Sequence, residues 1–127
     1  MTENEIAREI VDVAFKVHRN LGPGLLESVY EAVMAYELRK RNLGAERQRP
    51  IPIVYEALQF DEGFRADLVV EDKVIVELKS IETVLPKHKK QLLTYLRLND
   101  KRLGLLINFD EALIKDGITR IVNGLQE

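Results

Sequence analysis

The stretch that most limits the fold is Arg65 to Ser80, Arg-Ala-Asp-Leu-Val-Val-Glu-Asp-Lys-Val-Ile-Val-Glu-Leu-Lys-Ser. Two runs rich in β-branched residues, Leu68-Val69-Val70 and Val74-Ile75-Val76, flank the polar Glu71-Asp72-Lys73. That pattern reads as a tight β-hairpin. A turn centred on Asp72 sets Asp67 opposite Glu77 and Arg65 opposite Lys79. Opposed residues share a face of the sheet, as do residues two apart on one strand. Asp67, Val69, Ile75, Glu77 and Lys79 are therefore expected on one face, and Ala66, Leu68, Val70, Val74, Val76 and Leu78 on the other. Both faces carry aliphatic side chains, so both need a cover.

Two carboxylates and a lysine are thus left at one end of a largely apolar face. Like charges opposed across strands destabilise, and buried charge is costly unless paired or bound to metal. A divalent cation would relieve the repulsion. Mg²⁺ takes hard oxygen ligands, usually one or two carboxylates with water for the rest. The alternative is an ion pair between Lys79 and one carboxylate in a partly solvated cluster.

A chain of 127 residues, 46% of them apolar, suffices for one domain spanning 1–127 with its own core. The absence of cysteine excludes disulfides and thiolate chemistry and fits a reducing compartment. The acidic start Met-Thr-Glu-Asn-Glu is unlike a signal peptide, and no apolar run reaches membrane-spanning length. A cytoplasmic protein without membrane contact is expected. A net charge of −2 and a pI near 5.8 argue against a protein that coats nucleic acid by overall basicity. Basic clusters remain at Arg39-Lys40-Arg41, Arg47 with Arg49, Lys87 with Lys89-Lys90, and Lys101-Arg102, and each reads first as solvated surface.

Thr2-Glu3-Asn4-Glu5 has the capping-box pattern, and Ile6, Ile10, Val13, Ala14 and Val17 follow at helical spacing. A first helix to about Asn20 is expected, stopped by Leu21-Gly22-Pro23-Gly24. A second is expected from near Leu25 to about Asn42, with Gly44 as its terminator. Glu27 falls in its first turn, either as a partner of the helix dipole or as a carboxylate aimed at the hairpin cluster. Arg49 to Ala57 reads as a strand that Pro50 and Pro52 confine to an edge. A loop over Gln59 to Gly63 then leads into the hairpin, giving three antiparallel strands in series. Pro86 opens a third helix to about Leu98, with His88, Gln91 and Tyr95 in one stripe. Each of these three also fits an ordinary surface or helix-pair contact. Leu103 to Phe109 reads as a buried strand, parallel to Val74–Val76 through a right-handed crossover. A short edge strand over Leu113–Lys115 and a terminal helix over Ile118–Gln126 complete the expectation. The order is ααβββαβ with a short tail, an α/β domain with a mixed sheet.

Taken together, these residues resemble a known pattern. Asp67 followed by Glu77-Leu78-Lys79 is similar to the signature of the PD-(D/E)XK nuclease superfamily, with Ala66 where its proline would stand. Gln91-Leu92-Leu93-Thr94-Tyr95 resembles the Q-x-x-x-Y motif of the exonuclease-like branch. Gly24-Leu25-Leu26-Glu27-Ser28-Val29-Tyr30 matches the motif that names the GxxExxY family. The resemblance implies a three-layer α/β/α restriction-endonuclease-like core with a metal site at one sheet edge. It implies that Asp67 and Glu77 ligate Mg²⁺ or Mn²⁺ with support from Glu27. Lys79 would act on the attacking water and the phosphate, and Gln91 and Tyr95 would position the site. Tyr30 and the lysines Lys87, Lys89 and Lys90 would contact the substrate, DNA or RNA.

A chain this small and acidic needs local basic patches, a homodimer or a larger complex to grip nucleic acid. Two other functions compete with a metal-dependent nuclease. One is a non-catalytic binding module that keeps the fold. The other is an interaction subunit of a defence or repair complex.

Overall fold

The computed structural model describes residues 1–126. Helix α1 spans Glu3–Leu21. The Thr2 hydroxyl accepts the N–H of Glu5 while the Glu5 carboxylate accepts the N–H of Thr2, so the capping box forms as its sequence predicts. Gly22 ends the helix at φ 75°, a backbone angle that glycine adopts without strain. Helix α2 spans Glu27–Lys40, two residues shorter at each end than expected. Its terminator is Asn42 rather than Gly44: Asn42 takes the left-handed conformation at φ 63°, and the N–H of Leu43 returns to the carbonyl of Leu38.

Five strands follow: β1 Ala45–Tyr55, β2 Leu58–Val70, β3 Val74–Lys79, β4 Leu103–Asn108 and β5 Ile118–Val122. Their order in the sheet is β1-β2-β3-β4-β5. Helix α3, Pro86–Leu98, carries the crossover that makes β3 and β4 parallel, and all other pairings are antiparallel. The hairpin register is the expected one, with Leu68, Val69 and Val70 opposite Val76, Ile75 and Val74. β1, with its two prolines, is an edge strand as predicted.

Three expectations of strand, loop and helix fail. Gln59–Gly63 is strand, not loop, because the chain reverses within two residues after Tyr55 and pairs Tyr55 with Leu58. Leu113–Lys115 forms no edge strand; a 3₁₀ turn over Ile114–Gly117 stands there. Ile118–Gln126 is no helix, because Ile118, Thr119, Ile121 and Val122 are β-branched and complete the sheet beside β4.

Helices cover both faces, which gives the three-layer α/β/α architecture. Ile6, Ile10 and Val13 of α1 and Met34 and Leu38 of α2 pack on Leu68, Val70, Val74, Val76 and Leu78. On the other face Leu92 and Leu96 of α3 meet Val69, Ile75 and Leu106. A Cβ on Gly104 would stand 3.0 Å from Leu92, so the bare glycine lets α3 lie close to the sheet. Ala66 departs from its expected face. It packs with Val69, Ile75 and Ile51, whereas Leu68 and Ala45 face α1 and α2. The alternation of both strands therefore breaks at Asp67 and at the residue across from it, Gln48, whose φ is 50°. A non-glycine residue held there costs about 1–2 kcal/mol. No helix among the described residues is long and apolar enough to cross a membrane.

Candidate active site

The backbone ladder between β2 and β3 runs only as far as Leu68 opposite Val76. Beyond it, side chains clasp the strands. Asp67 Oδ2 accepts the N–H of Leu78 at 2.8 Å, and Glu77 Oε1 lies 3.4 Å from the N–H of Asp67. Asp67 and Glu77 are thus brought together as opposed residues, as the hairpin predicts. Glu77 is 9% exposed. Burial, and then the charge of Asp67, push its carboxyl up to about 9, with Lys79 opposing in part. Lys79 is half-buried and, among the described residues, forms no ion pair.

Glu27, first residue of α2, sends Oε2 to the N–H of Ser80 at 3.0 Å and joins that helix to the end of β3. His88, third residue of α3, accepts the N–H of Leu85 on Nδ1 at 2.9 Å. Burial and the charges of Lys79 and Lys87 lower its pKa while Glu27 raises it. The start of α3 therefore borders the same cluster. Tyr95 stacks on Phe64 with ring centres 3.7 Å apart. Its hydroxyl is raised by burial and by the charges of Glu77 and Asp67, and Gln91 works against this. Gln91 itself is exposed, as are Lys87, Lys89 and Lys90 on the first turns of α3.

Tyr30 is not brought to the site surface. It is fully buried and stacks on Phe109 with ring centres 4.3 Å apart. Its hydroxyl donates to the carbonyl of Gly22 at 2.6 Å and accepts the N–H of Leu25 at 3.1 Å. It clamps the loop that presents Glu27, and its expected role as a substrate contact is corrected to that of a strut.

Three residues here were not singled out from the sequence. Glu31 is buried beside Asp67 in a pocket also lined by Glu27, Ser28 and Gln48. Its Oε2 accepts from Arg47 Nε at 3.2 Å and Nη2 at 3.1 Å. Gln48 Nε2 donates both to Glu31 Oε1 and, at 3.2 Å, to Asp67 Oδ1. Asn108, fully buried and opposite Lys79, accepts the N–H of Ile81 and of Asp110 and donates to the carbonyl of Ile81. It pins the turn that follows Lys79. The signals were Glu27 and Glu31 at i, i+4, which share a helix face, and a lone amide in the aliphatic strand Leu-Gly-Leu-Leu-Ile-Asn. For Gln48 there is no local signal.

Among the described residues no group of three or more His, Cys, Asp or Glu side chains is arranged as a metal cage. The donor set nevertheless suits a hard cation. Asp67 and Glu77 offer carboxylate oxygens side by side, and Glu77, buried and forming no ion pair among the described residues, holds a proton where a cation's charge would serve. One or two carboxylates completed by water is the usual Mg²⁺ arrangement. A family model for the PD-(D/E)XK nuclease superfamily matches residues 4–121. Searches of curated proteins and of solved structures gave no significant match.

Proposed function

Since the chain belongs to the PD-(D/E)XK nuclease superfamily, we propose that it hydrolyses phosphodiester bonds of DNA or RNA with Mg²⁺ or Mn²⁺, and that it falls in the GxxExxY family of that superfamily. The observation that carries the reading is the clasp of Asp67 and Glu77 where the β2–β3 ladder ends, with the charge of Lys79, two residues on, acting on Glu77. Asp67 and Glu77 would hold the cation, with Glu27 in support. When bound, such a cation polarises a phosphoryl oxygen and makes a bound water a stronger nucleophile near neutral pH.

The remaining work falls to the chain. Glu77 would release its proton to solvent when the site is filled, so that part of the incoming positive charge is offset by the charge that leaves. Lys79, carrying no lone pair while protonated, orients the attacking water and offsets charge growing on the phosphate. Tyr95, braced on Phe64, and Gln91 position this end of the site. Lys87, Lys89 and Lys90 project from α3 as phosphate contacts.

The test is cleavage of single- and double-stranded DNA and RNA with Mg²⁺, Mn²⁺ or EDTA, beside Lys79→Met. This substitution keeps the apolar stem and removes the charge. Cleavage should fall on the order of 10²- to 10³-fold, as for loss of one transition-state donor. Calorimetric Mn²⁺ affinity should stay near wild type or rise. An undiminished rate would overturn the role of Lys79. Metal and nucleic-acid binding without cleavage would indicate a binding module, and cleavage only on adding further proteins would indicate a subunit of a complex.

A further inference from the structure

We propose that Gln48 is a positioning residue that fixes the outer oxygen of Asp67 and so aims this carboxylate for ligation; the inference rests on reading Asp67 and Glu77 as the metal ligands. Consecutive side chains of an extended strand point to opposite faces. Arg47 and Gln48 are consecutive, yet both donate to Glu31, one to each carboxylate oxygen. They do so because Gln48 sits at φ 50°. That is an uncommon backbone region for a non-glycine residue, and such residues persist where surrounding contacts hold them. The same kink breaks the alternation of β1 and β2 at this point and turns the Gln48 amide toward Asp67.

The consequence for Asp67 is geometric. The Leu78 N–H takes Oδ2 at 2.8 Å, and one such bond leaves a carboxylate free to swing about it. The Gln48 amide takes Oδ1 at 3.2 Å and removes that freedom. Each carboxylate oxygen keeps a further lone pair, so Asp67 is held without being used up. Outer hydrogen bonds of this kind orient metal-binding carboxylates, and their loss lowers metal affinity by roughly 10- to 100-fold. Gln48 is itself exposed and contributes no apolar burial, so core packing does not account for the strained backbone.

Gln48→Gly and Gln48→Asn test this. Glycine and asparagine both accept the left-handed backbone. The first lacks the amide, and the second is one methylene too short to span Glu31 and Asp67. Mn²⁺ titration by calorimetry is run on both variants, on wild type and on Asp67→Asn, beside thermal melts without metal. Both Gln48 variants should bind Mn²⁺ about 10- to 100-fold more weakly, with melting temperatures unchanged or higher. Wild-type or tighter affinity in both would overturn the role of Gln48. So would a fall in melting temperature that parallels the loss of affinity, which would make Gln48 a structural strut. If wild type itself binds no Mn²⁺, the metal reading fails and the role of Gln48 with it, an outcome visible in the wild-type titration alone.

Discussion

Within the cluster, Glu77 is strongly perturbed by its surroundings. Its carboxyl titrates near 9 in the folded chain against an ordinary value of 4.5, because burial and Asp67 both disfavour its charge. Between these values the folded state holds a proton that the unfolded state has released. The contribution of Glu77 to stability is therefore present below about pH 4.5 and is lost as pH rises toward 9. Without metal, the melting temperature should fall across that window. Glu77→Gln should flatten the fall and raise stability at pH 8, measured by thermal melts over a pH series. Millimolar Mn²⁺ should stabilise wild type more at pH 8 than at pH 6, since the cation competes with the proton. Asp67, Glu77 and Lys79 were legible because strand alternation and a short turn are local rules. Glu31 and Gln48 were not. Glu31 has its meaning only through Arg47 and Gln48 across an element boundary, and Gln48 through a backbone angle that no neighbouring residue signals.

At the scale of elements, α2 is set by its approach as much as by its own sequence. Leu26 supplies no side-chain cap, and the loop before it is held instead by Tyr30 reaching back to Gly22 and Leu25. Tyr30→Phe keeps the ring stack on Phe109 and leaves those two backbone groups without this partner. It should cost about 1–3 kcal/mol, seen as a lower denaturant midpoint. Cleavage should slow through displacement of Glu27, without the uniform loss of substrate affinity expected of a residue that touches nucleic acid. The elements themselves divide by how local their signals are. α1, α3 and the central hairpin carry caps, a leading proline and β-branched runs, and they form where those signals say. The start of β2 and the last strand form against their local signals. Asp61-Glu62-Gly63 resembles a loop, and Ile118 with Ile121 fits a helical spacing as well as a strand. Pairing of Leu58–Phe60 with Ile53–Tyr55 of β1 in one case and of Ile118–Val122 with β4 in the other decided the outcome.

For the whole molecule, an α/β domain with a mixed sheet was legible from element order, and the three layers were what the resemblance implied. The acidic cluster lies where the start of α2 meets the middle of β2 and the end of β3, and exposed lysines stand on the first turns of α3. The sheet has a further property. Its strand order is the chain order, β1-β2-β3-β4-β5. Every strand pairs with the one synthesised just before it, and only the β3–β4 pairing must first close a loop through α3. Such a chain can zip up from its central hairpin, with little entropy spent on distant closures. Substitutions in the hairpin, such as Val69→Ala, should then slow refolding. Ile121→Ala in β5 should chiefly speed unfolding, a contrast that stopped-flow chevrons resolve. Glu27, Glu31, Gln48, Asp67, Glu77 and Lys79 all precede α3. On this route the charged cluster is gathered early, and α3, bringing Tyr95 and the exposed lysines, closes over it late.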